Sequence, residues 1–106
     1  MLGAEENPHL GPADRMLKES AESEKFGDSF KKTTVGVYFG NPDETVSDPY
    51  FGGQGPDRTG CKLCGGCMVG CRHGAKSSLD FNYLYFAEKH GVKLFPDTEV
   101  LDVQTL

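Results

Sequence analysis

Four cysteines fall within eleven residues, as the run Cys61-x-x-Cys64-x-x-Cys67-x-x-x-Cys71. Disulfides between neighbours this close would be strained. Nothing in the sequence signals export, and cytosolic reductants keep thiols free, so a dense cluster points to metal ligation. Gly65, Gly66 and Gly70 lie inside the run. They let the backbone curl, because glycine accepts positive φ without steric cost. Arg58, Lys62, Arg72 and Lys76 flank it, and cations so placed offset the charge of several thiolates and favour the ligating form.

The two-residue spacers match those that wrap bacterial iron-sulfur clusters. A proline follows the fourth cysteine in that pattern, whereas Arg72 follows it here, and the chain has no second run to share Cys71. Cys71 therefore closes the same site, stays free, or yields to His73. Zinc is the alternative, since it needs only four tetrahedral donors. Packing as small apolar side chains is the third possibility. The metal candidates are Cys61, Cys64, Cys67 and Cys71, with a 4Fe-4S cluster or zinc as the cofactor.

The rest of the chain divides into four parts. Residues 1–32 are polar, with one amphipathic helix opening at Pro12 and carrying Ala13, Met16, Leu17 and Ala21 on one face as far as Gly27. Residues 33–60 open with the β-branched and aromatic run TTVGVYF and pass into a loop rich in glycine and proline. The cysteine loop occupies 61–76. Residues 77–106 predict a serine-capped helix from about Ser78 to His90, stopped by Gly91, and then two strands over Val92 to Phe95 and Thr98 to Val103. Leu79, Tyr83, Phe86 and Ala87 share that helix's predicted buried face. The expected fold is α+β, a small incomplete domain of two helices, a few short strands and a Gly/Cys-rich loop. Its strand edge and apolar residues lack partners, so self-association is expected.

A net charge of −5 gives no global support for holding nucleic acid or anionic lipid. No apolar run approaches the ~20 residues of a membrane helix, and the start lacks a signal peptide's basic and apolar regions, so the expected address is cytoplasmic. The end at Leu106 brings no terminating element, which reads as a cut boundary.

The stretch from Asp48 to Val103, above all GAKSSLDFNYL (Gly74 to Leu84) followed by VKLFPDTEVLDV (Val92 to Val103), resembles the middle of glucose-methanol-choline (GMC) flavoprotein oxidoreductases of the cholesterol-oxidase-like subfamily. The resemblance extends more softly to the first forty residues. It implies an FAD-dependent enzyme that oxidises a CH-OH group of a sterol or other alcohol, with this chain an internal segment whose partner is the remainder of the flavoenzyme. The family's GxGxxG turn and catalytic histidine have no counterpart among these residues, so inactivity alone is expected. His9 and His90 are surface histidines on this reading. The resemblance also implies that the backbone of Val100 contacts the FAD adenine. Two other functions stay open: a small free-standing iron-sulfur electron carrier, and a structural zinc module.

Overall fold

The computed structural model describes residues 3–104. Pro12 opens helix α1 (Pro12–Ser23), and the Asp14 carboxylate accepts the Gly11 N–H at 2.8 Å. This contact satisfies a donor that no helical carbonyl can reach. Met16 and Leu17, on the predicted apolar face, are 67 % and 63 % exposed. The helix forms from its local signals, with those two side chains largely uncovered.

Among the described residues, four two-residue strands make two antiparallel pairs. Strand β1 (Glu5–Glu6) pairs with β2 (Thr34–Val35), with Glu5 opposite Val35. Strand β3 (Thr45–Val46) pairs with β4 (Arg58–Thr59), where the hydroxyls of Thr45 and Thr59 meet at 2.8 Å. A single bridge joins Val37 to Lys76. Around it Tyr38 N–H donates to Ala75 O at 2.8 Å and Ser77 N–H to Gly36 O at 2.7 Å, while Cys61 N–H donates to Tyr38 O at 2.9 Å. The TTVGVYF run is thus shorter as a strand than its residues predict, but its second half is held between the segments that enter and leave the cysteine loop. The whole is an α+β arrangement, and no helix among the described residues is long and apolar enough to cross a membrane.

Burial is mostly polar. Ala75 is the one apolar side chain in the buried class among the described residues, beside buried Arg58, Asn82 and Asp48. The radius of gyration is 18.6 Å, against about 13 Å for a compact domain of this length. Arg58 forms the hub. Its guanidinium donates to Lys76 O at 3.0 Å and Ser77 Oγ at 2.9 Å and lies 4.6 Å from the Phe81 ring centre. Ser77 Oγ donates in turn to Gly3 O at 3.0 Å.

The predicted helix over 78–90 is broken. A single 3₁₀ turn covers Leu79–Phe81, and helix α2 (Tyr83–Lys89) begins only after Asn82, whose φ of −143° and ψ of −96° are not helical. The buried Asn82 side chain takes the cap, accepting from Tyr83 N–H at 2.5 Å, while Ser78 makes no cap contact. The break turns the predicted face. Leu79 and Tyr83 are 57 % and 54 % exposed, and Phe86 packs edge-on against Phe51 with ring centres 5.0 Å apart. Residues 92–104 are exposed and form no strand. Strand-forming residues without an adjacent edge to pair with have no ladder to join.

Asp48 organises the glycine-rich loop. Its carboxylate accepts the N–H groups of Tyr50 and Phe51 at 3.1 and 2.8 Å, and those of Gly53 and Gly55 at 2.8 and 2.9 Å. Burial alone raises its pKa, but these four donors outweigh burial and hold it below the usual carboxylate value. A depressed folded-state pKa means that the ionised form stabilises the fold. That contribution is complete above the unfolded value of about 4 and is lost as pH falls through the lower folded value. The midpoint of urea unfolding should therefore stay level from pH 7 to about 5 and drop below about 4. Asp48→Asn should flatten that drop; an unchanged acid profile in the variant would show that Asp48 is not the group responsible.

Candidate functional site

The cysteine loop leaves β4 at Gly60 and returns at Ala75, so both of its ends are tied to the 36–39 segment. Between them the backbone curls where glycine allows it: Gly65 has φ 71°, Gly70 has φ 107° and Gly74 has φ 74°. A 3₁₀ turn over Gly66–Val69 carries Cys67. Leu63 also takes a positive φ, of 53°. Its N–H donates to Cys61 Sγ at 3.4 Å.

All four cysteines are free thiols; Cys61 and Cys71 are half-buried, Cys64 and Cys67 exposed. They line one narrow pocket, partly open to solvent, together with Lys62, His73 and Lys76. Burial raises the Cys71 thiol pKa, but the backbone N–H groups of Lys76, His73, Ala75 and Gly74 face the sulfur and bring it below the ordinary thiol value. Lys76 is fixed at the rim, its Nζ donating to Cys67 O at 2.7 Å, and Lys62 reaches Asp43 at 3.0 Å. Arg72 lines an adjoining opening with Cys64 and Cys71. Of the four cations that the sequence places around the thiols, Arg58 has another role: it lies behind the loop as the fold's hub.

One expectation fails here in its simple form. Among the described residues no three or more His, Cys, Asp or Glu side chains stand where they could share a metal ion. A single zinc ion needs its donors about 2.0 to 2.3 Å from one point, and the residues present do not fit it.

Val100, the residue implied to touch the flavin adenine, is 74 % exposed in the extended 92–104 segment. The described residues contain no glycine-rich turn between a strand and a helix, so they offer no cradle for a pyrophosphate. FAD as a whole does not fit this chain alone. His9 stacks at 5.8 Å on Phe39, and His73 is the histidine that reaches the cysteine cavity.

The sequence reading missed Asp48 and Arg58 as organisers. Asp48-Pro-x-x-Gly-Gly was a usable signal, since aspartate before glycine-rich chain often accepts from amides a few residues on. Arg58 offered none, because its acceptors lie sixteen to nineteen residues later.

The chain is similar over its whole length to proteins named cholesterol oxidase. It is 52 % identical over 110 residues to one from Acinetobacter baumannii, covering 100 % of this chain and 20 % of that protein. It is 53 % identical over 105 residues to one from Mycobacterium tuberculosis, covering 94 % of this chain and 18 % of the relative. The chain therefore spans about a fifth of the length of the curated relatives it matches. No protein-family model matches it. No solved structure matches it either.

Proposed function

We propose that this chain is an internal segment of an FAD-dependent oxidoreductase of the glucose-methanol-choline type that acts on a CH-OH group of a sterol or another alcohol, with the cysteine loop as an added metal centre. The observation that carries the reading is identity of about half the residues sustained from end to end, with 100 % of the chain aligned to the Acinetobacter baumannii relative. Exposure supports it. Val100, Leu101 and Val103 are 74 %, 88 % and 81 % exposed, with Met16 and Leu17 exposed on α1. Apolar surface of that kind is ordinarily covered in a folded protein.

When bound, FAD accepts the hydride from the alcohol carbon. This chain supplies neither the pyrophosphate cradle nor a histidine placed for proton removal, so its part is structural support for a flavin site completed by the remaining polypeptide. On this reading residues 92–103 pair as strands only within the larger sheet. That pairing would bring the Val100 backbone to the adenine.

The test is an exchange of segments. The Mycobacterium tuberculosis relative is prepared with its matching region replaced by this chain. The hybrid is expected to purify yellow with flavin bound in about equal amount and to oxidise cholesterol. A folded hybrid that holds no flavin, or holds it and oxidises no sterol or simple alcohol, contradicts the reading.

A further inference from the structure

We propose that two copies of this chain associate by a reciprocal contact, in which the acidic, apolar segment 94–104 of one copy lies in the groove beside the basic cysteine loop of the other. The surfaces belong to the 106-residue chain itself, so the inference does not depend on the flavoenzyme reading.

Charge is segregated along the sequence. The whole chain carries a net charge of −5, yet residues 61–76 hold Lys62, Arg72 and Lys76 and no aspartate or glutamate. Residues 94–104 are the reverse, with Asp97, Glu99 and Asp102 and no lysine or arginine. Lys62 is paired with Asp43 at 3.0 Å, and Lys76 Nζ donates to Cys67 O at 2.7 Å. Arg72, Asp97, Glu99 and Asp102 make no ion pair among the described residues. Complementary potentials of this kind steer association and fix which surfaces meet.

Both segments also hold apolar side chains in solvent. On the loop, Leu63 is exposed and Met68 and Val69 almost fully so. Leu63 and Met68 line an open groove with Val35, Val37 and Phe39. On the other segment, Val100, Leu101 and Val103 stand exposed among the carboxylates. Its hydrogen bonds are local, from Thr98 Oγ1 to Pro96 O at 3.1 Å and from Val103 N–H to Asp102 Oδ1 at 2.8 Å. Extended chain without a ladder of its own is the form in which peptides dock into a neighbour.

A second copy is favoured over other occupants because the chain itself contains both halves of the match. A one-way contact would leave one groove and one segment open and would string copies into an open array. Mutual exchange about a two-fold axis closes as a dimer and covers both surfaces on each copy.

The experiment is sedimentation equilibrium of the 106-residue chain, its thiols kept reduced, from micromolar to millimolar protein. A monomer–dimer equilibrium is expected, weakened about tenfold in about 1 M sodium chloride, where the Debye length falls to about 3 Å. Arg72→Glu and Glu99→Arg, both at exposed positions, should each weaken the dimer by a similar factor. An equal mixture of the two variants should restore it, because at both contacts of the mixed dimer positions 72 and 99 again carry opposite charge. A chain that stays monomeric throughout overturns the proposal, whether its acidic segment folds back on its own loop or it co-sediments instead with vesicles of anionic phospholipid. A dimer that neither salt nor either charge reversal weakens also overturns it, since the contact then lies on other surfaces. Should a variant fail to fold, the salt dependence of the unaltered chain still decides.

Discussion

Replacing Arg58 by alanine is expected to cost the fold about 3 kcal/mol, since a buried cation's hydrogen bonds to neutral acceptors are lost and those acceptors are left unsatisfied. The guanidinium is 1 % exposed and gathers Gly74 O at 3.4 Å, Lys76 O at 3.0 Å and Ser77 Oγ at 2.9 Å, with the Phe81 ring 4.6 Å away. Alanine would leave those acceptors facing an empty space and deprive Phe81 of its cation. Lysine keeps the charge but lacks the planar fork that reaches several acceptors at once, so Arg58→Lys should recover less than half of the loss. Urea unfolding followed by far-ultraviolet circular dichroism measures both. With so little apolar burial in reserve, Arg58→Ala should be largely unfolded before urea is added. A midpoint within experimental error of the parent's would show that Arg58 is not the hub.

Gly60→Ala should be comparably severe for a different reason. A Cβ at this position would overlap the carbonyl carbon and oxygen of Gly40 and stand 2.5 Å from the Asn41 carbonyl carbon. Every one of those atoms is backbone, so no side chain can swing away to make room. The crossing is also held by Gly60 N–H to Asn41 O at 3.2 Å and Cys61 N–H to Tyr38 O at 2.9 Å. Forcing the segments apart strains both bonds at the entrance to the cysteine loop. A loss of about 3 kcal/mol, the upper end for overpacking, is expected. Gly65→Ala is the comparison: its Cβ meets nothing within 4 Å, but φ is 71°, so the cost should be only about 1 to 2 kcal/mol. If both variants unfold at the same urea concentration, the close approach at Gly60 is not what holds that crossing.

Local signals in the sequence were read well. Pro12 and the spacing of Met16 and Leu17 placed α1. The glycines within the cysteine run foretold a curled backbone that the positive φ angles at Gly65 and Gly70 bear out. The cysteine spacing was read as a metal site, and among the described residues no group that could hold an ion is found there. What escaped the reading was set at a distance. Asn82 interrupts the second helix because its buried side chain caps α2 and also reaches Ser77 O at 3.4 Å, and periodicity across 78–90 carries no trace of that contact. The β-branched residues from Val92 to Val103 predict strands, and such residues do favour a pleated ladder. A ladder needs a neighbour, and these residues pair with no strand among the described residues. The same limit applies to Val100, whose suggested role depends on surroundings that 106 residues do not provide.

The claim that this chain is a working part of a sterol- or alcohol-oxidising flavoenzyme is tested most directly by the turnover of the segment-exchanged Mycobacterium tuberculosis relative. The quantity to measure is kcat/KM for cholesterol, compared with the unaltered relative under the same conditions. Identity of 53 % across the exchanged region should keep the hybrid within about tenfold, a change of roughly 1.4 kcal/mol in transition-state stabilisation. A hybrid that folds, binds flavin in full and still oxidises neither cholesterol nor a simple alcohol above background would contradict the account.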